Sequence, residues 1–449
     1  MEFDFCLVSS WAEQSHRQMH AWGRELLDRG FRVAIVGPTP GSHGLDGIQE
    51  FALSEYDRNG EEFSTAREVE SRYDIPSLDH LVFTERQYFH LSRAEALSRA
   101  VRLSRSVDRL FSEHSFERTL QIRGPEIHRL LVHYATEHEG GSSMWAGFSP
   151  FEGTFSLKTT LKGPWDDYRT IPYEEIPDED RTDVESHIEQ FRDRQRFYAH
   201  DDGDQTDDSG RLGTLASVIS GVRDRDRPGN LTDQIREASK LGLNRLVNER
   251  LYRSVGDSRR ACRTERYAFF PLQYPVESRL TVFSPQFHRQ EYLVEYLARV
   301  LPSSMKLFVK PHPNHPGRPS PMVLRRWQGH DRVAVLNPDL NAHEAIARSE
   351  GVVVINNTVG FEALYYNKPL VVLGSALYSR VPAATPVEDL SALPETLGSS
   401  LATRVHDEKT VASIHSLREA SYDGDRTALD EANVRTLVDS VLSFVETIE

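Results

Sequence analysis

The sequence predicts an α/β protein built from two doubly wound, largely parallel β-sheets. Three observations indicate this class. The chain opens with a strand, a helix and a second strand; its second half alternates short apolar runs with amphipathic helices; and 449 residues are too many for one hydrophobic core. We therefore expect two α/β domains.

The first half predicts an N-terminal Rossmann-like domain over residues 1–160. Strands are predicted at 3–8, 31–36 and 118–122, and helices at 16–28, 85–111 and 125–136. Residues 140–153 are rich in glycine, serine and aromatic residues, which predicts a loop. No G-x-G-x-x-G motif follows the first strand, and this argues against a dinucleotide site there.

The middle of the chain, residues 161–265, predicts an acidic helical insertion or linker. The part from Trp165 to Asp226 is acidic and weakly hydrophobic, and a helix is expected at 231–255. Acidic pairs such as Asp202 and Asp204 resemble metal-binding motifs. Because a chain with 68 acidic residues contains such pairs by chance, we expect no metal site.

The second half predicts a C-terminal Rossmann-like domain over residues 266–425. Strands are expected at 280–283, 306–309, 332–336, 351–355 and 370–373, alternating with helices at 290–300, 321–327, 342–348 and 359–366. Alternation at this pitch is typical of a parallel, doubly wound sheet. Residues 426–449 predict a terminal helix that would be able to cross back to the first domain.

Composition narrows the class of protein. A net charge of −15 argues against a nucleic-acid partner, since a duplex would repel such a surface. Only two cysteines are present, and no apolar run is long enough to span a bilayer, so a cytoplasmic protein is expected. Of the 53 basic residues 46 are arginine and seven are lysine, which favours a halophilic origin; a GC-rich genome is the alternative.

A polar motif follows the apolar run 307–309. Lys310 and His312 come directly after it, with Pro311 and Pro313 on either side of the histidine. The prolines restrict the backbone and so orient the imidazole. Ligands of open α/β sheets bind outside the carboxyl ends of the strands, where this cationic pair would suit a phosphate group. A rigid turn without a ligand is the alternative.

A second polar motif follows the apolar run 352–355 and leads into a predicted helix. Its Asn357 or Thr358 is expected to cap that helix, whose first N–H groups would form an anion site. Gly360 would let the backbone approach a ligand, and Glu362 would accept from ribose hydroxyls. An ordinary capped helix with an acidic first turn is the local alternative.

The second half resembles the capsule polysaccharide synthesis family, whose characterised members include β-Kdo transferases of bacterial capsule export systems. The segments that carry the resemblance follow the family's order: they are 270–277 (FPLQYPVE), 284–285, 309–313 (VKPHP), 356–364, 368–369 and 372–378. The resemblance as a whole covers roughly a third of the chain strongly. The first half matches weakly, at 123–126 (RGPE) and 150–153.

The resemblance implies a GT-B glycosyltransferase, in which two Rossmann-like domains face a cleft. The C-terminal domain would bind a nucleotide sugar, often CMP-linked in this family, as a co-substrate and without a cofactor. His312 would contact the donor phosphate, and Gln273 and Glu362 would lie near the nucleoside. The implied donor-binding set is Lys310, His312, Asn356, Asn357, Thr358, Gly360, Glu362, Gln273 and Ser284. This sequence has Asn357 where the family usually has serine, and this difference is compatible with a different donor specificity.

Glycosyl transfer also requires a catalytic group beside the phosphate contacts. His312, with Lys310 and the helix start, would stabilise the leaving phosphate without a metal ion. A carboxylate of the first domain would activate the acceptor or act as nucleophile. Glu126 is the first candidate because it opens a helix after a strand; Glu13 and His16 are the next.

The leading hypothesis is a glycosyltransferase that acts on a surface polysaccharide or glycolipid acceptor. This hypothesis is compatible with a protein that lies peripherally at the inner face of the membrane. Two other functions are compatible with the motifs: a GT-B-like sugar-nucleotide epimerase or polyol-phosphate transferase, and a non-catalytic member that binds a nucleotide sugar or scaffolds an assembly. The presence of His312, Thr358 and Glu362 argues against an emptied donor site.

Overall fold

The computed structural model is described over residues 1–39, 47–57, 64–85, 91–122, 124, 126–162, 166, 168–195, 231–275, 277–313 and 319–448, with the backbone alone over 231–238. The chain divides into two compact units. Residues 1–161 and 421–448 form the first, and residues 162–195 and 231–420 lie in the second.

The described strands are labelled β1 to β13 in chain order. They are β1 Glu2–Val8, β2 Val33–Gly37, β3 Gln49–Ala52, β4 Ser115–Ile122, β5 Ser142–Gly147, β6 Thr154–Lys158, β7 Tyr267–Pro271, β8 Lys306–Lys310, β9 Val333–Val335, β10 Gly351–Val354, β11 Leu370–Val372, β12 Ala384–Pro386 and β13 Tyr422–Asp423.

The described α-helices connect these strands. They are Glu13–Asp28, Ala66–Tyr73, Leu78–Thr84, Arg93–Glu113, Ile127–His138, Asp178–Arg194, Leu231–Ser254, Ser258–Thr264, Ser278–Thr281, Gln290–Val300, Pro321–Gln328, Ala342–Arg348, Val359–Tyr365, Leu393–Ala402, Asp407–Glu419 and Glu431–Ile448. Short 3-10 turns occur at Leu53–Tyr56, Tyr173–Glu175, Pro285–Phe287 and Leu390–Ala392.

The first unit is built on a seven-stranded sheet in the order β13-β6-β5-β4-β1-β2-β3. The strands from β5 to β3 run parallel, while β6 and β13 pair antiparallel at the edge. The central strand β1 is almost wholly buried, because helices cover both faces of a parallel sheet.

The terminal helix Glu431–Ile448 belongs to the first unit. Its Leu437, Val441 and Phe444 are completely buried in one hydrophobic cluster with Trp22 and Phe155. Large apolar side chains at one face of a helix stabilise it by packing rather than by intrinsic propensity. This 18-residue helix therefore completes the core of the first unit.

The second unit is built on a six-stranded sheet in the order β12-β11-β10-β7-β8-β9, and all its strand pairs are parallel. Strands β7 and β8 pair from Tyr267 opposite Lys306 to Pro271 opposite Lys310. The α/β class with two doubly wound sheets is thus confirmed. The arrangement of the two units about a cleft stays a prediction.

The predicted loop at 140–153 is wrong, because it contains strand β5. Met144 and Trp145 are buried there, and β5 lies between β4 and β6 in the sheet. Glycine and serine flank a short apolar run, and composition alone cannot distinguish such a run from a loop.

Two further elements differ from the prediction. Residues 280–283 were expected to form a strand, but Ser278–Thr281 is a helical turn, and β7 opens the second sheet instead. The helix expected from residue 85 begins at Arg93, where Ser92 and Glu95 form a capping box. The first prediction failed because a four-residue apolar run is compatible with either a helix or a strand. The second failed because a capping box locates the start of a helix more accurately than hydrophobic periodicity does.

Apart from Leu161, the described parts of the predicted insertion at 161–265 lie in the second unit. Phe191 of helix Asp178–Arg194 stacks on Tyr365 with ring centroids 4.1 Å apart. His187 Nε2 lies 2.9 Å from the Tyr365 hydroxyl. These contacts tie the acidic helix to helix Val359–Tyr365. The acidic pairs at 202–204 and 224–226 lie outside the described residues.

Candidate functional site

The candidate site of the second unit is the edge at which β7, β8 and β10 end. These three strands are neighbours in the sheet, so the segments that follow them meet. Gln273 follows β7, His312 follows β8 and Asn356 follows β10, each two residues beyond its strand. The structure therefore brings both polar motifs of the sequence to one sheet edge, where ligands of open α/β sheets bind.

Three buried amide and hydroxyl side chains hold this edge together. Gln273 Nε2 donates to Asn356 Oδ1 at 2.9 Å, and Asn356 Nδ2 donates to Ser284 Oγ at 2.9 Å. The Ser284 hydroxyl also accepts from the backbone N–H of Ser375 at 3.0 Å. All three side chains are at most 4% exposed. Because their polar atoms bond to each other, they fix the spacing of the strand ends.

The turn at Asn357 and Thr358 differs from its prediction. Thr358 occupies the N-cap position with helical torsions (φ −64°, ψ −22°), and its side chain makes no capping bond. A capping hydroxyl normally needs an extended backbone, so side-chain capping by Thr358 is excluded in this conformation. Asn357 Nδ2 instead donates to the Pro271 carbonyl at 3.4 Å, which joins β10 to the end of β7.

Gly360 makes room for a side chain of the protein itself. A Cβ at this position would lie 2.1 Å from Tyr378 Cζ. The Tyr378 hydroxyl donates to the carbonyl of Asn357, which holds the ring against the glycine. The tyrosine ring therefore fills the Cβ side of Gly360, and the approach of a ligand to its backbone stays a prediction.

Lys310 and Glu362 belong to a buried cluster of ionisable groups. Lys310 Nζ donates to the Pro338 carbonyl at 2.8 Å, and Glu362 Oε2 lies 3.9 Å from His343 Nε2. Burial raises the pKa of Glu362 to about 7, and the charge of Lys310 opposes that rise. Burial also lowers the pKa of His343 to about 4 and the pKa of Lys310 below its usual value. The histidine is therefore neutral at pH 7, and Glu362 titrates near that pH.

This burial predicts a measurable pH effect on stability. The folded-state pKa of Glu362 is about 7 against 4.5 in a model peptide, so the folded protein binds more protons between these values. The free energy of unfolding then falls as the pH rises through this window, by about 3 kcal/mol at most. We expect the difference in free energy of unfolding between Glu362→Gln and the wild type to be more favourable to the variant at pH 8 than at pH 4.5. Urea unfolding at the two pH values measures this difference. Glu189→Gln, at an exposed helical position, is the control; equal pH dependence in all three proteins would contradict the assignment.

His312 lies on the wall of a pocket in the second unit. The pocket has a volume of about 460 Å³, within the range of small-molecule sites. Gln273 and Trp327 also line it, together with the basic side chains His288, Arg289 and Arg326 and the acidic side chain Glu291. Arg326 is paired with Glu295, so the basic groups outnumber the acidic one but are not all unneutralised. The His312 ring is half-buried, with its centroid 5.8 Å from that of Tyr274. Such a lining suits an anionic, hydrogen-bonding ligand.

Glu126 lies at the corresponding edge of the first sheet. It is the N-cap residue of helix Ile127–His138, which follows β4, the neighbour of β1. Its Oε2 is 3.2 Å from Nη1 of Arg129, and Nη2 of the same arginine donates to Ser15 Oγ at 3.1 Å. Arg129 is only 3% exposed, whereas the Glu126 side chain is 21% exposed. A buried cation thus holds a carboxylate that solvent reaches.

The other two candidates of the first unit differ in position. Glu13 is 61% exposed and pairs with Arg17 at 2.6 Å on the helix surface. His16 Nε2 lies 3.5 Å from Ser9 Oγ, beside the end of β1, and burial lowers its pKa. His16 therefore lies near the sheet edge, while Glu13 is engaged in an ion pair on the surface.

Two neighbours of the site were missed in the sequence. Arg129 stands one helical turn after Glu126, and this i, i+3 spacing was an available signal. His343 comes from a different helix than Glu362, so no local pattern connects them.

Among the described residues, no group of three His, Cys, Asp or Glu side chains is arranged to hold a metal ion. Within the same residues no helix has the length and apolar character needed to cross a membrane.

One family model matches about a third of the chain, 158 of its 449 residues. Residues 225–382 match the family model described as "Capsule polysaccharide biosynthesis protein", and this confirms the predicted resemblance. The chain is 32% identical over 121 residues to the capsule polysaccharide export protein KpsS of Escherichia coli, and 31% identical over 116 residues to protein FixF of Sinorhizobium fredii. Each match covers 25% of this chain, and they span 31% and 27% of those proteins.

A solved structure shows a distant likeness. The β-Kdo 2,4 transferase of KpsC from Thermosulfurimonas dismutans aligns at a TM-score of 0.36 and 10% identity, over 74% of this chain and 92% of that chain. Likeness at this level does not identify a reaction.

Proposed function

We propose, from the match of residues 225–382 to the capsule polysaccharide biosynthesis family, that this protein is a glycosyltransferase. It would move a sugar from a nucleotide-sugar donor to a surface polysaccharide or glycolipid. The observation that carries the proposal is the convergence of Gln273, His312 and Asn356 at one sheet edge beside a pocket with basic side chains. A nucleotide donor needs such a phosphate contact on a rigid frame.

The donor would lie with its phosphate at His312. The leaving phosphate gains negative charge during transfer, and a positioned imidazole with a nearby ammonium stabilises that charge more than it stabilises the ground state. Lys310 adds a positive charge, and its bond to the Pro338 carbonyl fixes its position. In this proposal the nucleotide sugar is a co-substrate, and the transfer requires neither a metal ion nor a cofactor.

Asn356, Gln273 and Ser284 would act mainly as the frame of the donor site. Their side chains bond to one another, so they would hold the segment after β7 against the segment after β10. Glu362 would remain close to Lys310 and modulate its charge, because the two groups affect each other's pKa.

The first unit would supply the acceptor side of the reaction through Glu126. Its carboxylate would take the proton from the attacking hydroxyl, or act as a nucleophile on the sugar. The contact with Arg129 favours the ionised form, which both roles require. A net charge of −15 argues against a nucleic-acid acceptor, because a duplex would repel such a surface, whereas a neutral glycan meets no such repulsion.

A thermal-shift panel tests the donor class. The protein is heated with CMP, CDP, UDP or GDP, each free and sugar-linked where available. A ligand at a hundred times its Kd stabilises the native state by about 2.7 kcal/mol, so one nucleotide is expected to raise the Tm by several degrees. A CMP response would fit the family's common donor. No response to any nucleotide at millimolar concentration would contradict the proposed function.

A further inference from the structure

The surface of helix Leu231–Ser254 carries apolar side chains in contact with solvent. Leu243 is 64% exposed and Leu246 is 61% exposed, although both are large aliphatic residues. Three positions apart on a helix, they share one face. Together they form a contiguous exposed apolar patch, and such a patch bordered by polar residues is a feature of interaction sites.

This face points away from the body of the second unit. Asn248 of the same helix is fully buried and donates to the Pro319 carbonyl at 2.9 Å, so its side of the helix faces the rest of the unit. Leu246 stands two positions before Asn248, about 200° around the helix axis. The leucines therefore lie on the side opposite the packed one.

The same face continues with positive charge. Arg250 and Arg253 follow Leu243 and Leu246 at helical spacing, and both are exposed. We call these four residues the leucine–arginine stripe. From residue 239 to 254 the helix carries four basic residues and one acidic residue, Glu249, which is paired with Arg245. This local charge is opposite in sign to the net charge of −15.

An anionic lipid surface suits this stripe better than a second copy of the chain does. Aliphatic side chains at the headgroup boundary remove apolar surface from water, while arginines bind lipid phosphates. In a symmetric dimer the stripe of one copy would contact the stripe of the other. The arginines would then be buried without a carboxylate, because the stripe itself contains none. The stripe is complementary in charge to an anionic lipid surface, so its own contacts select the lipid even though the net charge of the whole chain is −15.

We propose that the leucine–arginine stripe docks the protein on the surface of a membrane that contains anionic phospholipids. The leucines enter the headgroup boundary and the arginines contact phosphates, without any segment crossing the bilayer. Such docking would bring the protein to lipid-linked acceptors, in line with the proposed function. Vesicle binding needs no donor, so its test is independent of whether the chain transfers sugar.

Vesicle co-sedimentation tests the stripe on the full-length protein. The probe is vesicles of phosphatidylglycerol mixed with phosphatidylcholine, compared with phosphatidylcholine alone, at low and high salt. The wild type is expected to bind the anionic vesicles at low salt and to lose binding at high salt. Leu243→Ser with Leu246→Ser is expected to lower the partition coefficient about tenfold, and Arg250→Glu with Arg253→Glu by at least as much.

Leu429→Ser is the matched control, because Leu429 is also an exposed leucine, at 42%, between Thr427 and Asp430. Unchanged Tm values in all variants would show that the fold is retained. No binding of the wild type to anionic vesicles would overturn the proposal. So would equal binding by the stripe variants and the control. Light scattering tests the alternative of self-association. If a stripe variant were monomeric where the wild type is not, and its vesicle binding were unchanged, the stripe would be a self-association surface and the proposal would be overturned.

Discussion

Replacing Glu126 by glutamine is expected to lower the rate of sugar transfer by about 10²–10⁴-fold, the range for loss of a general base. The amide keeps the shape of the side chain but cannot accept the proton of the acceptor hydroxyl or attack the sugar. Donor affinity is expected to stay within about twofold, because Glu126 belongs to the first unit and the donor motifs to the second. Steady-state kinetics with the nucleotide sugar found in the thermal-shift panel measures both quantities.

Glu13→Gln is the control for this substitution. Glu13 was a rival candidate in the sequence, but it is exposed and paired with Arg17. We expect this variant to keep the wild-type rate. Full activity in Glu126→Gln would remove Glu126 from the mechanism, and loss of activity in Glu13→Gln alone would transfer the catalytic role to that residue.

Replacing His312 by alanine is expected to weaken donor binding by about tenfold to a hundredfold, the value of a hydrogen bond to a charged group. The transfer rate should fall further, by about 10²–10³-fold in kcat, because the phosphate gains charge in the transition state. The separate effects on affinity and rate are measured by calorimetric titration of the nucleotide and by kinetics with saturating donor.

His406→Ala provides the matched control in the same unit. His406 is exposed and precedes helix Asp407–Glu419 without a side-chain cap bond. Its removal is expected to change neither affinity nor rate. If His312→Ala retained wild-type affinity and kcat, the phosphate-contact role of His312 would be excluded.

Much of the second sheet could be predicted because its strands are short apolar runs that end in polar motifs. Strands β8 and β10 and the helices Gln290–Val300 and Ala342–Arg348 follow the hydrophobic pattern closely. Strand β5 could not be predicted in this way, since glycines and serines surround its buried Met144 and Trp145. Sheet position decided its conformation, and a local pattern does not report sheet position.

The location of the candidate site could also be predicted, but the roles of several residues could not. Parallel strands bring their carboxyl ends to one edge, so the two motifs had to meet. The bond between Gln273 and Asn356 spans 83 positions, and the contact between Gly360 and Tyr378 depends on side-chain packing. No local pattern contains such contacts. In the proposed function, residues that the sequence predicted to touch the donor form the frame of its site instead.

A crystal structure of the full-length protein with the nucleotide that responds in the thermal-shift panel tests the donor site most directly. We expect the nucleotide at the edge formed by the ends of β7, β8 and β10, with a phosphate oxygen within about 3.2 Å of a ring nitrogen of His312. Gln273, Asn356 and Ser284 should keep their mutual bonds. A nucleotide bound elsewhere on the chain, with His312 making no contact to phosphate, would contradict the account.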